Sequence, residues 1–186
     1  MDFTLSKQHA LLSKLYREFA LKEVKPLAAQ IDEEERFPIE TIAKLTSQKM
    51  MGICFPESLG GAGADTLAYI LAVEELSRVC ATTGVILSAH TSLCASPIFT
   101  FGTDAQKQKY LPKLNSGEWL GAFGLTEPNA GTDAAGQQTV AIKTEHGYVI
   151  NGSKIFITNA GYADVYVIFA MTDKAQGTRG ISAFII

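Results

Sequence analysis

Cysteine is scarce and unpatterned. Cys54, Cys80 and Cys94 are three in 186 residues, an odd number without Cys-x-x-Cys spacing, which argues against a disulfide framework and against a zinc site. The three histidines, His9, His90 and His146, fall on separate segments and lack metal-ligand spacing. A phosphate-binding Gly-Lys-Ser/Thr loop is missing, and so is a serine nucleophile in an elbow motif. The glycines between Gly60 and Asp65 do not supply Gly-x-Gly-x-x-Gly and do not join a strand to a helix, so they read as a loop. Positive charge is not in excess either: 16 Lys and Arg against 19 Asp and Glu give a net charge of -3. That balance removes the electrostatic reason to expect nucleic acid or an anionic membrane as partner. The start, Met1-Asp2-Phe3-Thr4, lacks the basic and apolar regions of a secretory signal, and no later apolar run approaches membrane-spanning length. A reducing, cytoplasmic setting is the expectation.

What is present is a globular composition, 47% hydrophobic and 19% charged, on a chain long enough for one domain and part of another. The first half is periodic at helical spacing. Ser6 is placed to cap a helix with Leu12, Leu15, Tyr16 and Phe19 on one face. Pro26 marks a kink or a new start, and Phe37-Pro38 precedes a helix carrying Ile39, Ile42 and Leu45 that Gly52 can terminate. Asp65 is a cap for a helix whose Tyr69, Ile70, Val73 and Leu76 face inward. From Val85 to Cys94 apolar residues lie almost all round, the pattern of a helix buried on most of its surface. Its Ser88, His90, Thr91 and Ser92 read as core polar groups bonded back to the preceding turn. Beyond Pro97, Thr103 or Asp104 starts a short basic helix that runs out near Pro112.

From Trp119 helical periodicity gives way to short β-prone runs: Leu120 to Leu125, Thr139 to Lys143, Tyr148 to Ile150, Lys154 to Ile157, Val165 to Met171 and Ile181 to Ile186. Asn151-Gly152 between two of them is a strong hairpin signal, since a type I′ turn needs positive φ at both central positions. The expected architecture is an N-terminal all-α domain over residues 1–117, followed by an antiparallel β domain over residues 118–186. The closing run, Ile181-Ser182-Ala183-Phe184-Ile185-Ile186, reads as a core strand without a following turn or polar tail, so the β domain is expected to be incomplete.

One segment stands out: Phe123-Gly124-Leu125-Thr126-Glu127-Pro128-Asn129-Ala130-Gly131-Thr132-Asp133. Read locally it is an ordinary strand connection of small residues. Small residues also expose backbone N–H groups, which with the Thr126 and Thr132 hydroxyls suit the edge of a flat heterocycle or a phosphate chain. This loop resembles the signature of the acyl-CoA dehydrogenase family. Asn151-Gly152-Ser153-Lys154-Ile155-Phe156-Ile157-Thr158-Asn159 is similar to that family's second flavin-contacting segment at the usual distance downstream. Pro56 to Gly63 and Phe101-Gly102-Thr103 also fit, so the resemblance covers the whole chain and is closest in appearance to bacterial short-chain, butyryl-CoA-type members.

The resemblance implies FAD, an acyl-CoA substrate, an electron-transferring flavoprotein as acceptor and a homotetramer. By that likeness Phe123, Leu125, Thr126, Gly131, Thr132, Phe156, Ile157 and Thr158 hold the flavin. Leu125 and Thr126 serve its pyrimidine side, Thr132 also meets the CoA end of the substrate, Phe156 packs near the ring system and Thr158 matches the position at N5. The acyl pocket is expected between the Val85 to Cys94 helix, with Ala89 and nearby Ala95, and the strand domain. The family's base is a Glu of a C-terminal helical bundle domain absent here, so the resemblance places it beyond Ile186; Glu127 is expected to be structural. An acyl-CoA oxidase-type relative, or a non-catalytic fragment that binds flavin or acyl-CoA, stays open as an alternative.

Overall fold

The computed structural model describes residues 4–186. The chain separates into two compact units, one ending at Trp119 and the other running from Leu120 to Ile186.

The first unit is helical: α1 (Lys7–Phe19), α2 (Lys25–Glu33), α3 (Ile39–Ser47), α4 (Thr66–Ser77), α5 (Ala81–Ser88), α6 (Ser96–Phe101) and α7 (Asp104–Ser116). Side-chain caps fix three of the starts. Ser6 accepts from the His9 N–H, Asp65 from the Ala68 N–H, and Thr103 forms a capping box with Gln106; each satisfies donors that a helix leaves open. Its core holds Leu45, Met51, Leu76, Leu87, Ile98, Leu111 and Leu114, all buried to within two per cent.

Two prolines are accommodated in the same way, and Pro26 does mark a new start. A π-helical stretch, Ala20–Val24, leads directly into α2, where Pro26 occupies the first turn. A second, Ala89–Ala95, leads into α6, where Pro97 does the same. Proline lacks an N–H and its ring crowds the carbonyl four residues back. Widening the preceding turn to i→i+5 bonding, with Lys25 N–H on Ala20 O and Ser96 N–H on Thr91 O, moves that carbonyl aside and lets the helix continue. Ala81–Phe101 is therefore one continuous helix of 21 residues, long and apolar enough to cross a membrane by length and composition, though half of it is buried inside the unit. The expectation that no run reaches that length fails because Pro97 does not end the helix. Pro112 likewise lies inside α7, which ends at Gly117 with φ 78°. Gly52 is not a terminator: α3 stops at Ser47 and Lys49 takes the left-handed conformation, φ 56°. Ile70, expected to face inward, is 50% exposed, and Ile39 at the start of α3 is 62% exposed, while Thr41 is fully buried.

The second unit is a five-stranded sheet of β1 (Gly121–Gly124), β2 (Val140–Thr144), β3 (Gly147–Asn151), β4 (Val165–Met171) and β5 (Ile181–Ile185). Their order is β1-β4-β2-β3, with β5 also on β4. The sheet is mixed rather than antiparallel throughout. β1 runs parallel to β4, Gly121 opposite Val165 and Gly124 opposite Ile168, while β2–β3 and β4–β5 are antiparallel. A parallel pair needs a long crossover, and residues 125–164 supply it.

The hairpin is also displaced from its expected place. Glu145-His146 makes the two-residue turn, with Thr144 opposite Gly147. Asn151 still belongs to β3, and Gly152 serves close packing: a Cβ there would lie 2.2 Å from Thr139 Oγ1 and 2.6 Å from its Cα. Residues 154–157, expected as a strand, are irregular, because their polar contacts run to the loop after β1 instead of along a ladder.

Candidate functional site

β1 ends at Gly124, where a side chain would strike Ile168, whose Cγ2 would be 2.7 Å from an added Cβ. The chain then turns tightly. Glu127 and Ala130 exchange both backbone hydrogen bonds at 3.1 Å, with Pro128 preset for the first corner position. Glu127 itself points inward and is 5% exposed. It accepts from the Gln138 N–H at 2.5 Å, the Thr139 N–H at 3.0 Å and Lys154 Nζ at 2.8 Å. Burial pushes this carboxyl upward, but the Lys154, Thr139 and Gln138 contacts outweigh it, and the group settles at about 2. A carboxylate so stabilised, with its oxygens occupied, is a poor proton acceptor. Glu127 is structural.

The two motif segments meet. Ile155 N–H donates to Thr126 O at 2.9 Å, Lys154 Nζ to Leu125 O at 2.9 Å, and Asn159 Nδ2 to Gly121 O at 2.9 Å. Residues 154–159 are thus pinned alongside 121–126 at both ends. Between those pins the backbone is bent into the left-handed region at Phe156, φ 56°, and Asn159, φ 71°. Non-glycine residues hold that conformation only where their surroundings enforce it, and such strain collects at functional sites. The bend leaves the Phe156 ring 89% exposed, an aromatic offered outward from an anchored backbone.

Thr126 and Thr158 are half-buried and Thr132 is exposed; none of their hydroxyls bonds another described residue. The Leu125 and Thr126 carbonyls each already accept one hydrogen bond, while the Thr126 N–H is still to give. Gly131 has open space where a Cβ would stand. Phe123 is half-buried and lies edge-on to Phe169 at 5.3 Å between centroids, and Ile157 is half-buried. Together, an exposed ring, three unengaged hydroxyls and an open glycine fit a flat heterocycle with polar edges, as FAD has. Among the described residues no group of His, Cys, Asp and Glu is arranged to hold a metal.

Models of the acyl-CoA dehydrogenase N-terminal and middle domains match residues 6–118 and 122–186. The chain belongs to the acyl-CoA dehydrogenase family. A short-chain-specific acyl-CoA dehydrogenase of Clostridium acetobutylicum is 64% identical over all 186 residues, which cover 49% of that relative. The butyryl-CoA dehydrogenase of Megasphaera elsdenii superposes with a TM-score of 0.95 at 52% identity, over the whole of this chain and 50% of that one. A structure described for work on the electron-transferring flavoprotein of Acidaminococcus fermentans superposes at 0.96 with 53% identity, over 100% and 49%. This acyl-CoA dehydrogenase chain therefore spans about half the length of the relatives it matches.

Sequence reasoning missed Lys154 and Gln137. Lys154 is 10% exposed at its side chain, and its third acceptor is Gln137 Oε1 at 3.1 Å. The sequence reading placed the lysine only at the start of an expected strand. The usable signal was a lone cation just ahead of the apolar run Ile155-Phe156-Ile157, in a motif also rich in small and amide residues.

Proposed function

We propose that this chain is the flavin-binding front half of an FAD-dependent dehydrogenase that introduces the α,β double bond into a short-chain acyl-CoA, butyryl-CoA or similar. Electrons pass on to an electron-transferring flavoprotein, and the assembled enzyme is a cytoplasmic homotetramer. The observation that carries the reading is the pairing of residues 121–126 with 154–159, which sets an exposed aromatic ring and unengaged hydroxyls around anchored backbone. The short-chain specificity and the electron acceptor rest on the relatives' descriptions.

In this reading Thr126 presents its N–H and hydroxyl to the pyrimidine edge of FAD, and Thr158 presents its hydroxyl to the reacting edge. Phe123, Leu125, Gly131, Phe156 and Ile157 shape the pocket, with Phe156 excluding water from one side. Thr132 reaches both the cofactor and the CoA end of the substrate. FAD, when bound, supplies the acceptor for the β-hydrogen. The α-proton needs a base, because a thioester α-carbon is weakly acidic until its carbonyl is hydrogen-bonded. Glu127, committed to Lys154, is not placed to act as that base.

Replacing Thr158 with Val in the full-length protein is expected to shift the flavin absorption bands and weaken FAD binding without altering the fold. Unchanged spectrum, affinity and turnover would remove Thr158 from the site. Butyryl-CoA is expected to bleach the flavin faster than octanoyl-CoA; the opposite ranking would refute the short-chain assignment.

A further inference from the structure

We propose that Lys154 is a positioning residue for the flavin-facing peptide, acting through the carbonyl of Leu125. The inference rests on the flavin reading above and deepens it. An ammonium has three N–H donors, and Lys154 uses them on acceptors from three places in the chain: Leu125 O at 2.9 Å, Glu127 Oε1 at 2.8 Å and Gln137 Oε1 at 3.1 Å. Leu125 lies at the end of β1, Glu127 in the tight turn and Gln137 ahead of β2. Lys154 itself follows β3, so a single side chain ties together the end of β1, the tight turn and the approach to β2.

Two consequences follow for Thr126. Its peptide plane is fixed on one side by Lys154 holding Leu125 O. On the other, Ile155 N–H holds Thr126 O at 2.9 Å. A cation on the Leu125 carbonyl also polarises the Leu125–Thr126 amide, because hydrogen bonds in a chain strengthen one another. Thr126 N–H, which has no partner among the described residues, is thereby made a stronger and better aimed donor. Glu127 supplies a countercharge, and the Leu125 and Gln137 oxygens complete the ammonium's hydrogen bonding, so its place does not depend on Glu127 alone.

The test uses the full-length protein as parent, Lys154→Met, Glu127→Gln and the Lys154→Met/Glu127→Gln pair. The paired variant removes both charges, so a purely electrostatic role predicts that it recovers parent behaviour. Positioning through Leu125 predicts that it stays altered. Amide exchange at residues 124–127 should rise roughly tenfold or more, the flavin midpoint potential should fall, and kcat should drop roughly ten- to a hundredfold with little change in KM. Glu127→Gln, which leaves Lys154 able to bond Leu125 and Gln137, should keep the parent spectrum and potential.

A paired variant with parent-like exchange, potential and kcat would overturn the proposal. So would a Glu127→Gln protein as perturbed as Lys154→Met, and this second comparison decides the matter should the paired variant fail to fold. A parent protein that binds no FAD would refute the flavin reading alone. The exchange comparison between parent and Lys154→Met would still test the clamp.

Discussion

The two units are held together by different physics. The largest fully buried side chains among the described residues all lie in the helical unit, from Val24 to Asn115. The strand unit buries smaller groups, Ala122, Ala130, Ala141, Val165, Val167 and Ala170, and adds polar ties: Glu127 to Lys154, Asn159 to Gly121, and the Leu120 N–H to Asp164 at 2.9 Å. Apolar packing is non-directional and tolerates small rearrangements. Hydrogen bonds and a buried ion pair fix orientation, and the unengaged Thr126, Thr132 and Thr158 hydroxyls sit on the unit that uses them.

The sharpest way to break this contrast is to remove volume from the helical core. Leu87→Ala, at a fully buried position, is expected to destabilise the helical unit by about 2–5 kcal/mol, leaving amide protection in residues 121–171 unchanged. Loss of protection in both units would show that they unfold as one.

Acid should separate the units next. Burial of His90, whose Nε2 donates to Leu114 O at 3.1 Å, lowers its pKa from 6.5 to about 4, against the opposing pull of the Leu114 and Met51 backbone contacts. A depressed folded pKa means that the stabilisation is present above 6.5 and lost as pH falls towards 4; linkage gives about 3 kcal/mol for that span. Glu127 is also depressed, from 4.5 to about 2, so its contribution is complete above 4.5 and lost only between there and 2. Lowering pH from 7 to 4 is thus expected to weaken the helical unit first, as followed by residue-resolved exchange. If the strand unit opens first, buried His90 does not govern acid stability.

The smallest effect should come from Gly152→Ala. The added methyl meets Thr139 backbone as well as its hydroxyl, so a shift of the strand after Gln138 is required, at about 1–3 kcal/mol. Pairing it with Thr139→Ala removes the hydroxyl contact but not the backbone one, and should recover only part of the loss. Full recovery would show that the hydroxyl alone excludes a side chain at 152.

Much of the element order was legible. Ser6, Asp65 and Thr103 cap where their chemistry said they would, and β4 occupies Val165–Met171 as its apolar run indicated. Local signals misled where a distant partner intervened. Pro97 resembled a stop because a one-dimensional pattern does not show a π turn absorbing it, and Asn151-Gly152 resembled a hairpin because the need for close approach to Thr139 spans a dozen residues.

The sequence by itself determined the family, the helical-then-strand order and the identity of the two motifs, since caps, periodicity and short ungapped segments are local properties. Only the tertiary structure decided that the motifs lie against each other, that β1 and β4 run parallel, and that Lys154 is buried on three acceptors. Those facts depend on residues 27, 29 and 44 positions apart meeting through hydrogen bonds, and a pairing across such separations is a property of the folded chain rather than of any window along it.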